Sequence, residues 1–147
     1  MTFTVSANQV ETLRAALLGE SERYHQLNNQ LDSADRTAFN VLIAAAFFKG
    51  AYQRFGEGTD AAQVVSFIGD LRARYDLVEE IDPRVAERLL LATFSDEQTD
   101  DIEDQVKGEH YMLLLIALTK EAALSNTEVT EFLNDARKLA DEWLGSD

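Results

Sequence analysis

The fold is decided by residues 41–48, which read VLIAAAFF and carry no polar side chain. A helix of this composition is apolar on every face, and such a helix is typical of the centre of a bundle, where other helices cover it on several sides. Residues 112–118, MLLLIAL, have the same character and predict a second buried helix. Both apolar runs are far shorter than the roughly 20 residues that cross a bilayer, so neither predicts a membrane span.

The chain on both sides of these runs is predicted to be helical as well. It holds one proline and seven glycines, and its apolar residues recur at helical spacing instead of alternating. We expect a first helix to begin at Ser6, with one apolar stripe that continues to Leu31. Gly19 lies within that stripe and is the weak point of the helix.

Further helix starts are marked by side chains that cap free backbone N–H groups. Asp82 followed by Pro83 is the clearest of them, because proline lacks the N–H group that the first helical residue leaves unpaired. The other predicted starts are Asp32 or Ser33, Asp60, Ser95 and the Ser125–Thr127 cluster. Together these signals predict an all-α, single-domain bundle of six to seven helices over residues 1–147.

The sequence also predicts which large side chains are buried. Phe47, Phe48, Tyr52 and Phe55 recur at helical spacing, and we expect this stripe to be core. An exposed stripe of this kind would instead bind a partner or a second copy. In the last helix the positions predicted to be buried are Val129, Phe132, Leu133, Ala136, Leu139 and Trp143.

The charge of the chain is distributed unevenly. The 27 acidic and 13 basic side chains give a formal net charge of −14. Residues 1–75 hold eight acids and seven bases, so residues 76–147 carry a net charge of −13. The acidity is therefore a property of the second half of the chain.

Segment 96–109 is the most acidic part of that half and is compatible with either a loop or a polar helix. One interpretation is a solvated surface that keeps the protein soluble. The other is a docking surface for a basic partner, which would associate faster at low salt. The candidate partner-binding residues are Asp96, Glu97, Asp100, Asp101, Glu103 and Asp104.

Composition disfavours several classes of function. A strongly acidic chain is a poor binder of nucleic acid or of an anionic membrane surface, both of which require lysine and arginine. The chain has no cysteine, so disulfides, thiolate nucleophiles and cysteine-bound zinc are excluded. Residues 1–10 lack the features of a signal peptide, and we expect a cytoplasmic protein. No motif predicts a catalytic residue, a metal ligand or a cofactor.

The function predicted on these grounds is non-enzymatic protein–protein binding, for example by an acidic inhibitor or immunity-type protein that covers a basic partner. Two alternatives stay open. A metal-dependent enzyme would hold a carboxylate cluster inside the bundle, and some of Glu22, His25, Glu128 and Glu131 would converge in a pocket. A structural subunit would form a homodimer through its first helix.

Six short segments together form a pattern that can be compared with known families. They are Arg36–Phe39, Ala44–Phe48, Phe55–Gly56, Arg72–Tyr75, Asp82–Pro83 and Phe132–Arg137. In these segments the chain resembles small helical proteins that are common in actinobacteria. The resemblance implies an all-helical fold but no particular activity, because that group has no assigned one.

Overall fold

The computed structural model describes residues 4–56, 60–75, 80–94 and 98–145. Within these ranges the chain forms seven helices and no strand, which confirms the predicted all-α class. None of the seven is both long enough and apolar enough to cross a membrane. The helices are α1 (Ala7–Leu17), α2 (Ser21–Asn29), α3 (Ser33–Phe55), α4 (Ala61–Arg74), α5 (Pro83–Phe94), α6 (Asp104–Glu121) and α7 (Asn126–Gly145).

Helices α3 and α6 form the centre of the bundle, as their apolar sequences predict. Each contributes to two hydrophobic clusters, one shared with α1 and α7 and the other with α4 and α5. Leu42 of α3 and Leu115 of α6 are fully buried in the first cluster, and Ala51 and Leu114 are fully buried in the second. The two central helices thus connect both halves of the core.

The predicted continuous first helix is wrong, because the chain breaks after Leu17 and resumes as α2. Gly19 has a φ of 75°. Its N–H donates to Ala16 O, and the N–H of Glu20 donates to Ala15 O at 2.9 Å. This pair of bonds is a Schellman motif, which ends a helix at a residue of positive φ. The apolar stripe therefore belongs to two short helices.

Most predicted helix starts are confirmed by capping hydrogen bonds. Ser6, Asp32 and Asp60 each accept a bond from the backbone N–H three residues later, and that residue's side chain accepts the cap's own N–H. Ser125 makes the same reciprocal pair with Glu128. The predicted cap at Ser95 lies outside the described residues.

His110 connects the start of α5 to α6. Its imidazole is buried, with Nδ1 2.8 Å from Val106 O and Nε2 accepting the backbone N–H of Asp82 at 3.0 Å. The pair of contacts requires the neutral tautomer with its proton on Nδ1. Asp82 in turn caps α5 by accepting the N–H of Arg84 at 2.9 Å.

Candidate functional site

In its described part, from Gln98, the acidic segment is a loop up to Glu103 and a helix from Asp104, so both predicted conformations occur within it. Four of the predicted partner-binding residues are exposed, and Asp96 and Glu97 lie outside the described residues. Between the exposed carboxylates, Ile102 is buried and anchors the loop to the α4–α5 side of the core. The loop is therefore attached to the fold at a fixed point. The exposed four are Asp100, Asp101, Glu103 and Asp104.

Asp101 is committed to an internal ion pair. Its two carboxylate oxygens accept hydrogen bonds from Nη1 and Nη2 of Arg88 at 2.8 and 2.6 Å. Arg88 also donates a hydrogen bond to Gln98 O. The hydrogen bond from Arg88, assisted by the backbone, lowers the pKa of Asp101 to about 2. Asp101 therefore holds the loop against α5, and its charge is already paired.

The other described candidates, Asp100, Glu103 and Asp104, are exposed to solvent. Asp104 is in the first turn of α6, where a negative charge is favoured by the helix dipole. Glu103 precedes the helix without a side-chain cap bond, and neither it nor Asp100 is in an ion pair with another described side chain. Asp100 and Glu103 are thus the members of the segment best suited to meet a partner.

A row of aromatic rings crosses the surface of three helices. Trp143 of α7 packs edge-to-face on Phe48 of α3 at 6.1 Å between centroids. Phe48 stacks on Tyr52 at 5.9 Å, and Tyr52 meets Phe94 of α5 at 5.7 Å. We call these four residues the aromatic row. Trp143, Phe48 and Tyr52 are 41, 36 and 38% exposed.

The exposed row corrects two sequence predictions. Phe48 and Tyr52 are not core, because they lie one turn apart on the face of α3 next to the buried Phe47 and Ala51. Trp143 is not buried either, because the buried stripe of α7 passes to one side of it through Ala140. The predictions for Phe47 and for Val129, Phe132, Leu133 and Ala136 are confirmed.

The row adjoins a cleft of about 530 Å³ near the C-terminal end of α3. Phe55 lies in the wall of this cleft. Its ring centroid is 6.1 Å from that of Phe94 of the row and 5.2 Å from that of Phe67 of α4. Arg54 and Glu121 also line the cleft and form an ion pair at 2.6 Å. Aromatic surface and charged groups therefore meet at one side of the molecule.

The residues that the metal-enzyme alternative requires do not form a cluster. Glu22 and His25 are exposed on α2, and Glu128 and Glu131 are exposed on α7. The carboxylate of Glu128 caps α7, and the bonds from Ser125 lower its pKa. Among the described residues, no three or more His, Asp or Glu side chains are placed to hold a metal ion.

Helix α1, through which the dimer alternative would act, already packs within the chain. Thr12, Leu13 and Ala15 are buried, and α1 contacts α2, α3, α6 and α7. Leu13 and Leu17 of its apolar stripe are thus covered by the chain's own helices.

Comparison with family models, curated proteins and solved structures gives no match to this chain. The resemblance to small actinobacterial helical proteins stays a prediction.

Proposed function

We propose that this protein acts by binding a basic protein partner, as an acidic inhibitor or immunity-type protein would, and that the aromatic row is the docking surface. The observation that carries the proposal is the row itself. Three of its large side chains are more than one-third exposed and lie side by side across α3 and α7. Tyrosine and tryptophan are enriched in protein interfaces because they bury a large area with little loss of side-chain entropy.

The charge of the chain supports a basic partner over a second copy of itself. At a net charge of −14, two identical chains repel each other, whereas a cationic protein is attracted. Aromatic faces also accept arginine and lysine side chains through cation–π contact. The row and the charge thus favour the same class of partner, and we propose that binding takes place in the cytoplasm without metal or cofactor.

Trp143 allows a direct test, because it is the only tryptophan in the chain and belongs to the row. The probe is a synthetic amphipathic peptide of about 18 residues with leucine on one face and arginine and lysine on the other. We expect it to shift Trp143 emission to the blue and to bind more weakly as salt rises. An equally tight response to the same peptide with glutamate on its polar face would overturn the proposal.

A matched pair of variants locates the binding surface. Phe48→Gln combined with Tyr52→Gln removes the centre of the row, and we expect it to weaken probe binding by about tenfold or more. Val65→Gln changes an apolar side chain that is 49% exposed on α4, outside the row, and should leave binding unchanged. Equal effects of the two variants, or self-association that blue-shifts Trp143 without any peptide, would contradict docking at the row.

The acidic segment has a separate and smaller role in this proposal. Asp100→Asn with Glu103→Gln removes two exposed charges without touching the Arg88–Asp101 pair. We expect the association rate of the basic probe to fall several-fold and its dissociation rate to change little, because exposed charges act mainly on encounter. An unchanged association rate would show that the segment takes no part in steering.

A further inference from the structure

The guanidinium group of Arg54 lies in a cage formed by two rings and a carboxylate. Its Cζ is 5.0 Å from the centroid of Phe55 and 5.4 Å from that of Phe67. Its Nε donates to Glu121 Oε1 at 2.6 Å. The two rings meet at 88°, so they face the cation from two directions. We call Phe55, Phe67 and Glu121 the cage.

The cage lies between two cavities. The cleft of about 530 Å³ is on one side, and a second cavity of about 210 Å³ is on the other. Arg54 and Glu121 line both, so their ion pair is the common wall. The side chains of Arg54 and Glu121 are 44 and 31% exposed. The guanidinium group therefore has free space beside it into which it can turn.

The walls of the larger cleft favour a cation in place of Arg54. Among the described residues, Asp60 and Asp70 line it together with Glu121 and with the cation of Arg74. The ammonium group of Lys120 lies 5.5 Å from the ring centroid of Tyr75, which is also in that wall. If Arg54 turns out of the cage, three carboxylates of the wall remain with these two cations. A site of carboxylates and aromatic faces is the chemistry that binds organic cations.

We infer that the cage is a binding site for an arginine side chain of the basic partner, and that Arg54 is an internal occupant which the partner's arginine displaces. The inference rests on the proposed function, because it supplies the specific contact for a partner docked on the aromatic row. The ring centroids of Phe94 of the row and Phe55 of the cage are 6.1 Å apart, so a partner on the row lies next to the cage.

Arginine is the expected occupant, and lysine is not. A planar guanidinium group stacks on a ring while it donates in its own plane to a carboxylate, whereas an ammonium group has no plane to stack and is more strongly hydrated. Arg54 makes both contacts in this cage. Because the internal occupant competes, a small arginine ligand binds weakly until Arg54 is removed.

The test uses Arg54→Ala and the blocked amino acid N-acetyl-argininamide. We expect Arg54→Ala to bind it at least about tenfold more tightly than wild type, with shifts of the Phe55 and Phe67 ring protons in NMR spectra. Adding Glu121→Gln to Arg54→Ala should abolish the gain. Arg54→Gln, which keeps part of the aliphatic stem, serves as the second opened variant, and circular dichroism verifies the fold of each.

Three results would overturn the inference: no ring-proton shifts in either opened variant, equal binding of N-acetyl-glutaminamide, or an unchanged gain in the Glu121→Gln double variant.

Free arginine is the second ligand to be measured. If it binds more tightly than the blocked form, the site is assigned to a free metabolite. In wild type, replacing every arginine of the basic probe by lysine should weaken binding about tenfold. Loss of cage binding with an intact Trp143 response would reject the cage alone, whereas loss of the Trp143 response rejects the proposed function.

Discussion

Arg88 holds Asp101 through two parallel hydrogen bonds of 2.6 and 2.8 Å, and this pair clamps the acidic loop to α5. The arginine also donates to the backbone carbonyl of Gln98, so a single side chain contacts the loop at two points three residues apart. With Ile102 buried beside it, the loop has a polar and an apolar anchor. The loop from Gln98 to Ile102 is therefore held in place by an internal charge.

The first prediction concerns the titration of Asp101. Its pKa is about 2 in the wild type, and Arg88→Gln should raise it toward the ordinary 3.8, because the hydrogen bond from Arg88 is the largest cause of the shift. A pKa lowered by folding stabilises the protein above about pH 4 and loses that contribution as the pH falls toward 2. NMR titration of the side-chain carboxyl measures the value. Arg84→Gln, an exposed arginine on the same helix, is the control and should leave it unchanged.

The helix starts could be predicted because capping is local. Ser6, Asp32 and Asp60 each act on a backbone group three residues away, so the sequence contains the whole interaction. The Arg88–Asp101 pair could not be predicted in this way. The sequence presents six similar carboxylates, and only the packing of the loop on α5 selects one of them.

The exposed aromatic row escaped prediction for a related reason. In α7 the positions three and four residues after Ala140 both continue its buried stripe, and these are Trp143 and Leu144. Leu144 packs on the core cluster, and Trp143 falls at the edge. Helical spacing does not distinguish the two, because the choice depends on which face the neighbouring helix covers. The apolar interior of α3 was predictable because its residues 41–48 offer no polar face at all.

The second prediction concerns His110, which should be a structural residue. His110→Ala leaves a cavity at a buried side chain and removes the acceptor of the Asp82 N–H, so we expect a loss of about 2–4 kcal/mol in the free energy of unfolding. Urea denaturation measures it. The matched control is His25→Ala, an exposed histidine on α2 that should change stability by less than about 0.5 kcal/mol. Similar values for the two variants would contradict the role of the imidazole.

The third prediction concerns the end of α6. Ala123 has a φ of 53°, in the left-handed region where a Cβ atom is unfavourable. Ala123→Gly removes that strain, partly offset by the greater freedom of glycine in the unfolded chain, so we expect a gain of about 0.5–1 kcal/mol. Ala122→Gly, at a φ of −72°, should destabilise instead. Thermal unfolding shows whether each variant is more or less stable than the wild type. A loss of stability in Ala123→Gly would contradict the backbone strain at Ala123.

The last prediction concerns the contact between the two central helices at Gly50. A Cβ atom built there lies 3.5 Å from Leu118, 3.7 Å from Phe132 and 3.8 Å from Leu115, which are ordinary packing distances. Gly50→Ala should therefore stabilise the protein by about 1 kcal/mol, because alanine favours the helix and its methyl group packs on α6 and α7. Gly69→Ala on α4 adds a methyl group that has no neighbour within 4 Å among the described residues, so it reports the helix preference alone. A larger gain at Gly50 than at Gly69 in urea denaturation confirms the packing contribution, and a loss at Gly50 shows that the helices approach too closely for a side chain.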